Sequence, residues 1–213
     1  MAEGRRLPVY LLLDTSGSMS GDPIEAVRMG VKTLVSDLKS HPNAIETAYL
    51  SVITFSSSAQ QVCPLTELSS FQEPTLTAGG ETKLGEALAL LETKIDTEVN
   101  KASPTQKGDW KPLVFLLTDG KPTDAYEEAA ERIKKKKLGN VIALAAGSEA
   151  DRSALKKLTD TVLMIQSLQP DALKEFFKWV SSSIAMTSTK LTQVTADAPV
   201  DLPPAPPVIQ IMP

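Results

Sequence analysis

Leu7-Pro8-Val9-Tyr10-Leu11-Leu12-Leu13-Asp14-Thr15-Ser16-Gly17-Ser18 begins as an unbroken apolar run and breaks abruptly into acid, hydroxyls and glycine. The apolar part is too short for a helix and suits a parallel strand buried on both faces, so residues 7–13 are placed at the centre of a sheet. In open α/β sheets, ligands bind outside the carboxyl ends of the strands, near the point where the strand order reverses. The polar string 14–18 is therefore the first place to look for function.

Working outward, Ile24, Val27, Val31, Leu34, Val35 and Leu38 recur at helical spacing after Asp22-Pro23, which predicts a long helix. Gly30 inside it is read as a point of close helix packing. Residues 47–55 are β-rich and 59–65 follow a serine run, which predicts a hairpin whose second strand is a sheet edge, as Pro64 favours. Leu84, Ala87, Leu88, Leu91 and Ile95 mark a second helix, 100–109 a polar loop, and 112–118 a strand of the same character as the first. Residues 124–137 are expected to be helical, with Asp124, Glu127 and Glu128 in the first turn and four lysines in the last, an arrangement that complements the helix dipole. Strands at 141–146 and 162–165 flank a helix near 151–158, and a final helix from about Asp171 carries Leu173, Phe176, Phe177, Val180 and Ile184 on one face.

Strands alternating with helices predict an α/β fold: a Rossmann-like, doubly wound, mainly parallel sheet with helices on both faces. Six strands in the order 3-2-1-4-5-6, with one antiparallel edge strand, are expected. The chain of 213 residues, 42% hydrophobic, supports one core. Residues 1–187 are assigned to that domain and 188–213 to a Pro-rich tail. Within the tail, 202–207 favours polyproline II, and 208–212 is expected to lie against either its own domain or a neighbouring chain as an added strand.

Composition narrows the function classes. A net charge of −4 argues against a chain that neutralises nucleic-acid phosphates. No stretch reaches membrane-spanning length, and residues 1–6 lack a secretory signature, so no membrane association is expected. One cysteine, Cys63, precludes an internal disulfide and a thiolate zinc cluster and suits a reducing compartment, and the expected location is cytoplasmic. His41, the single histidine, precedes Pro42 in an expected turn and is a poor basis for Ser-His-Asp catalysis. Lys134 to Lys136 and their neighbour Lys137 are read as a solvated helix end, Trp110, Trp179 and the Phe176-Phe177 pair as core residues, and Cys63 as a small buried hydrophobe.

The chemistry concentrates in three segments. Asp14, Ser16 and Ser18 leave the first strand, Asp119 leaves the strand at 112–118 in Thr118-Asp119-Gly120, and Thr82 lies at a helix entry in Gly79-Gly80-Glu81-Thr82-Lys83-Leu84-Gly85. Both carboxylates should emerge on the same rim, joined by hydroxyls. Such an oxygen-rich pocket suits Mg²⁺ or Mn²⁺, which prefer hard oxygen ligands in octahedral geometry. With only Asp14 and Asp119 supplying negative charge, the ion stays electrophilic toward an incoming carboxylate.

These three segments resemble the metal-ion-dependent adhesion site (MIDAS) of von Willebrand factor A domains, over roughly residues 7–185. Within that superfamily, the short form, Phe55-Ser56-Ser57 and the Thr-x-Leu-Gly setting of Thr82 resemble the bacterial TerY or YegL-like proteins linked to tellurium resistance and stress operons. The resemblance implies Asp14, Ser16, Ser18, Thr82 and Asp119 as metal residues. It also implies a protein partner whose Asp or Glu completes the metal shell, no catalysis, and a 19–22 loop that adjusts together with the final helix. Two rival readings are a haloacid-dehalogenase-like phosphotransferase and a scaffold with a non-essential metal site. The first wants a second carboxylate two residues after Asp14, where this chain has Ser16. A nucleotide binder is disfavoured because neither Gly-x-Gly-x-x-Gly nor Gly-Lys-Ser/Thr follows the first strand.

Overall fold

A strand that is buried along its whole length needs neighbours on both edges and layers on both faces, and β1 (Leu7–Asp14) has all four. In a computed structural model, which describes residues 5–105, 107–136, 138–193 and 202–212, β1 pairs in parallel with β2 (Ala48–Phe55) on one side and with β4 (Leu113–Thr118) on the other. Beyond β2 lies the antiparallel β3 (Ala59–Glu67). Beyond β4 lie the parallel strands β5 (Val141–Ala146) and β6 (Thr161–Ile165). The order β3-β2-β1-β4-β5-β6 is the expected one. A seventh strand, β7 (Gln210–Ile211), is added antiparallel to β6.

Alternation along β1 divides the interior. Leu7, Val9, Leu11 and Leu13 join a core with α1 (Asp22–Leu38) and α6 (Pro170–Gln193). Tyr10 and Leu12 join the opposite core, with α3 (Leu84–Glu98), α4 (Glu127–Lys135) and α5 (Arg152–Leu158). Where α1 crosses α6, a Cβ on Gly30 would run into the ring of Phe177, so the glycine sets how closely these helices approach. Phe176 and Phe177 meet edge-on, with ring centroids 5.4 Å apart.

Besides the seventh strand, three details differ from the sequence expectations, and one alternative that the sequence left open is resolved. A short helix α2 (Pro42–Thr47), with His41 at its N-cap position, stands where a turn was expected. The acid-led helix starts at Glu127, because the Asp124 carboxylate instead accepts the N–H groups of Gly85 and Glu86 at 2.9 Å each and so caps α3. Helix α6 continues past residue 187 to Gln193. Residues 208–212 lie on the chain's own sheet edge, where the Met212 N–H donates to the Val162 carbonyl at 2.9 Å. Pro199, Pro213 and Lys137 lie outside the described residues.

Lys134, Lys135 and Lys136 pair with Asp160, Glu131 and Asp96, as a solvated helix end would. Cys63 is half-buried on β3, and burial pushes its thiol pKa up. Among the described residues no helix is long and apolar enough to cross a membrane.

Candidate metal centre

Asp14 ends β1 beside Thr118, which ends β4, and the adjacency of those strands fixes the heart of the site. The Asp14 side chain is fully buried. Its Oδ1 accepts the Ser16 N–H at 2.8 Å and its Oδ2 accepts the Thr118 hydroxyl at 2.5 Å. Asp14 thus works from behind, bending the loop back on itself and placing Ser16 and Ser18 toward the rim.

The next oxygens form a line. Ser16 Oγ and Ser18 Oγ are 3.1 Å apart, and the Ser18 hydroxyl donates to Asp119 Oδ1 at 2.8 Å. Thr82 arrives from the loop before α3. Its backbone N–H is held by Thr123 Oγ1 at 3.2 Å, and its Oγ1 lies 3.4 Å from where a Cβ on Gly120 would stand, directly beside Asp119. The structure therefore brings all five sequence-nominated residues to one rim. Asp14, Ser16, Thr82 and Asp119 are buried there, while Ser18 and Gly17 face outward.

The loops are clamped to each other by backbone bonds. Gly17 N–H donates to the Gly80 carbonyl at 3.0 Å and Gly79 N–H to the Thr15 carbonyl at 2.8 Å. Gly80 has φ +84°, a left-handed conformation that side chains rarely adopt, and a Cβ there would collide with Ser57. A Cβ on Gly17 would meet the Gly80 carbonyl at 3.3 Å, so this glycine serves close approach rather than an unusual dihedral. From the β2–β3 turn, the Ser56 carbonyl accepts the Lys83 N–H at 3.1 Å and Ser57 Oγ the Glu81 N–H at 3.2 Å.

These contacts add supports beyond the five rim residues: Thr118, Ser56, Ser57, Thr123 and Asp124. Thr118, Ser56 and Ser57 lie inside the motifs that carry the resemblance. Thr123 carried no local signal and that of Asp124 pointed to the helix after it, because their partners lie about forty residues away on another element.

Electrostatically the site is short of positive charge. Burial raises the pKa of Asp14, opposed by the bonds from Ser16 and Thr118 and reinforced by Asp119. Burial also raises that of Asp119, opposed by Ser18. Among the described residues no group of three or more His, Cys, Asp or Glu side chains could hold a metal, so the oxygens that could meet an ion here come from two carboxylates and the neighbouring hydroxyls.

The oxygens fit a small hard cation. Ligands at about 2.0 to 2.1 Å around an octahedral Mg²⁺ lie about 3 Å from one another. The Ser16–Ser18 and Ser18–Asp119 separations of 3.1 and 2.8 Å are those of hydrogen bonds, and they leave these oxygens close enough together to share such an ion.

Comparison with known proteins agrees with this architecture. No curated protein matches the chain. Among solved structures, proximal thread matrix protein 1 from the mussel byssus, with a zinc-occupied MIDAS motif, is 20% identical with a TM-score of 0.63. The match covers 85% of this chain and 48% of that one. A von Willebrand factor type A protein from Catenulispora acidiphila is 22% identical, TM-score 0.63, covering 86% and 43%. BatB from Bacteroides thetaiotaomicron is 18% identical, TM-score 0.57, covering 86% and 99%. The chain spans about half the length of the first two. At these identities the likeness is one of fold. The model of the von Willebrand factor type A domain, by contrast, matches residues 9–179, from the central strand to the final helix, and on that match the chain belongs to the von Willebrand factor type A domain family.

Proposed function

We propose that this chain is a metal-dependent protein-binding module in which a divalent cation held by Ser16, Ser18 and Thr82, with Asp119 and Asp14 supplying the charge, receives an Asp or Glu side chain of a partner. The observation that carries the reading is the hydrogen-bonded cluster of Ser16, Ser18 and Asp119 oxygens at one rim, with no group of three or more acidic side chains among the described residues. A site richer in acids would neutralise the ion, and this one leaves it able to attract a further carboxylate. Bound there, the ion would supply a point of positive charge. The chain's own residues fix the oxygens, exclude water from Asp14 and set the rim's shape. Mg²⁺ or Mn²⁺ is the proposed ion. The zinc in the MIDAS of the mussel protein supports divalent binding at a site of this kind.

We propose binding rather than catalysis. A phosphotransferase would need Asp14 as an accessible nucleophile, whereas here the side chain is fully buried and both its oxygens accept hydrogen bonds. The proposed setting is a bacterial tellurium-resistance or stress-response system, supported by the resemblance of Phe55-Ser56-Ser57 and the Thr82 loop. Those serines hold that loop in the structure. The single cysteine supports a cytoplasmic location.

The test is capture of partners from a cytosolic extract with 5 mM-scale Mg²⁺ or with chelator, comparing the unaltered chain with Asp119→Ala. Capture that needs both the ion and Asp119 supports the reading. Capture indifferent to both favours the scaffold alternative.

A further inference from the structure

The outer edge of β6 is covered by the chain's own residues 202–212, which straddle the sheet edge. Leu202, Ala205 and Ile209 pack against the core on the α6 side, while Met212 packs against the core on the α5 side. The covering is sparse. Two residue pairs, Leu163 with Ile211 and Met164 with Gln210, make up the strand. The Trp179 indole N–H donates to the Pro203 carbonyl at 3.0 Å, and Lys156 Nζ donates to the Met212 carbonyl at 3.2 Å. Ile209, 5% exposed, is the single deep anchor, whereas Val208 and Ile211 face solvent at 41% and 63%.

We propose that the β6 edge, together with Trp179 and Lys156, is a peptide-docking site for an extended proline-rich segment, and that residues 202–212 of a second copy of this chain occupy it by strand exchange. Three features support that occupant. Strand pairing and the bonds to Pro203 and Met212 all use backbone carbonyls or N–H groups, so they work equally for a segment arriving in cis or in trans. The segment's apolar anchors already match this edge, and a second copy carries the same anchors. The edge cannot stay bare cheaply, since losing the segment uncovers strand β6 and parts of both cores. A tethered segment has an effective concentration in the millimolar range, so the cis arrangement holds in dilute solution and exchange appears as concentration rises or when the cis tail is weakened.

The test uses the full chain, a full-chain Ile209→Asp variant, and a fluorescent peptide of residues 202–212. Thermal unfolding checks that the variant stays folded. Met29→Lys, at an exposed position on α1 outside this edge, serves as a control that leaves docking unchanged. The peptide should bind Ile209→Asp at least tenfold more tightly than it binds the unaltered chain, whose own tail competes. A peptide carrying Ile209→Asp should fail to bind, and Trp179→Phe, which removes the N–H but keeps a ring, should weaken binding severalfold. Light scattering should show dimers of the unaltered chain growing with concentration and absent in Ile209→Asp. Chelator should change none of this, which separates the proposal from the metal reading. No peptide binding to a folded Ile209→Asp variant overturns the docking site. Peptide binding with an unaltered chain that stays monomeric at every concentration overturns the second copy as occupant and points to a partner bearing a similar segment.

Discussion

At the scale of single residues, Asp14 spends its charge on geometry. Each oxygen already holds a donor, one from the neighbouring loop and one from β4. Replacing Thr118 by Val keeps its shape and removes the donor, leaving a buried carboxylate oxygen unsatisfied at a cost of about 1 to 3 kcal/mol. Both the urea midpoint and the Mg²⁺ affinity should fall. An unchanged affinity would mean that Asp14 does not position the loop. Gly30 gives a prediction of opposite character. Alanine is the better helix former by about 1 kcal/mol, yet its methyl would meet Phe177 in a closely packed interior. Gly30→Ala should therefore destabilise the fold by about 1 to 3 kcal/mol in denaturant unfolding. Much of that loss should return in the pair Gly30→Ala with Phe177→Leu, which makes room.

Among the elements, the helix caps show where local sequence stops being informative. Asp151 caps its own helix α5, accepting the Ser153 and Ala154 N–H groups at 3.0 and 3.1 Å, and its acid lies just before the helical pattern. Asp124 has an equally suggestive position before an acid-led helix, but it caps α3 instead, and only the folded chain brings it there. Asp124→Ala should cost about 1 kcal/mol and loosen the Thr82 loop, with α4 unaffected by hydrogen exchange.

The Asp151 cap carries a pH dependence. The Ser153 hydroxyl, followed by the Ala154 N–H, holds this carboxyl below its usual pKa. Because the folded value is the lower one, its stabilisation is present above the unfolded pKa of about 3.9 and is lost as pH falls through the folded value. Asp151→Ala should thus cost about 1 kcal/mol at pH 7. The difference from the unaltered chain should vanish in strong acid, read as converging urea midpoints.

Across the whole molecule, most of the architecture was legible because burial writes it plainly. The runs that became β1, β4 and β5 are apolar on both faces, and their alternation with helical periodicities admits few topologies. The rim residues were legible for a related reason: strand ends adjacent in a parallel sheet put Asp14 and Asp119 side by side. The tail strand was harder to place, since two residues of main-chain pairing leave almost no mark in side-chain pattern, and the sequence left open whose edge it joins. The short helix α2 was hidden by a His-Pro step that reads as a turn.

An ion held between loops from β1, β4 and the α3 entry ties together segments far apart in sequence, so its binding should stabilise the entire domain. With the ion at about 100 times its dissociation constant the gain is about 2.7 kcal/mol. The thermal midpoint should rise accordingly with Mg²⁺ and return with chelator, and Ser18→Ala should blunt the response.

The most direct measurement is a Mn²⁺ titration of the purified full chain, followed by electron paramagnetic resonance and repeated with Ser18→Ala and Asp119→Ala variants shown to be folded. One saturable Mn²⁺ per chain is expected, displaced by Mg²⁺ and weakened at least tenfold by either substitution. Absence of saturable binding, or binding of equal strength in both folded variants, would contradict it.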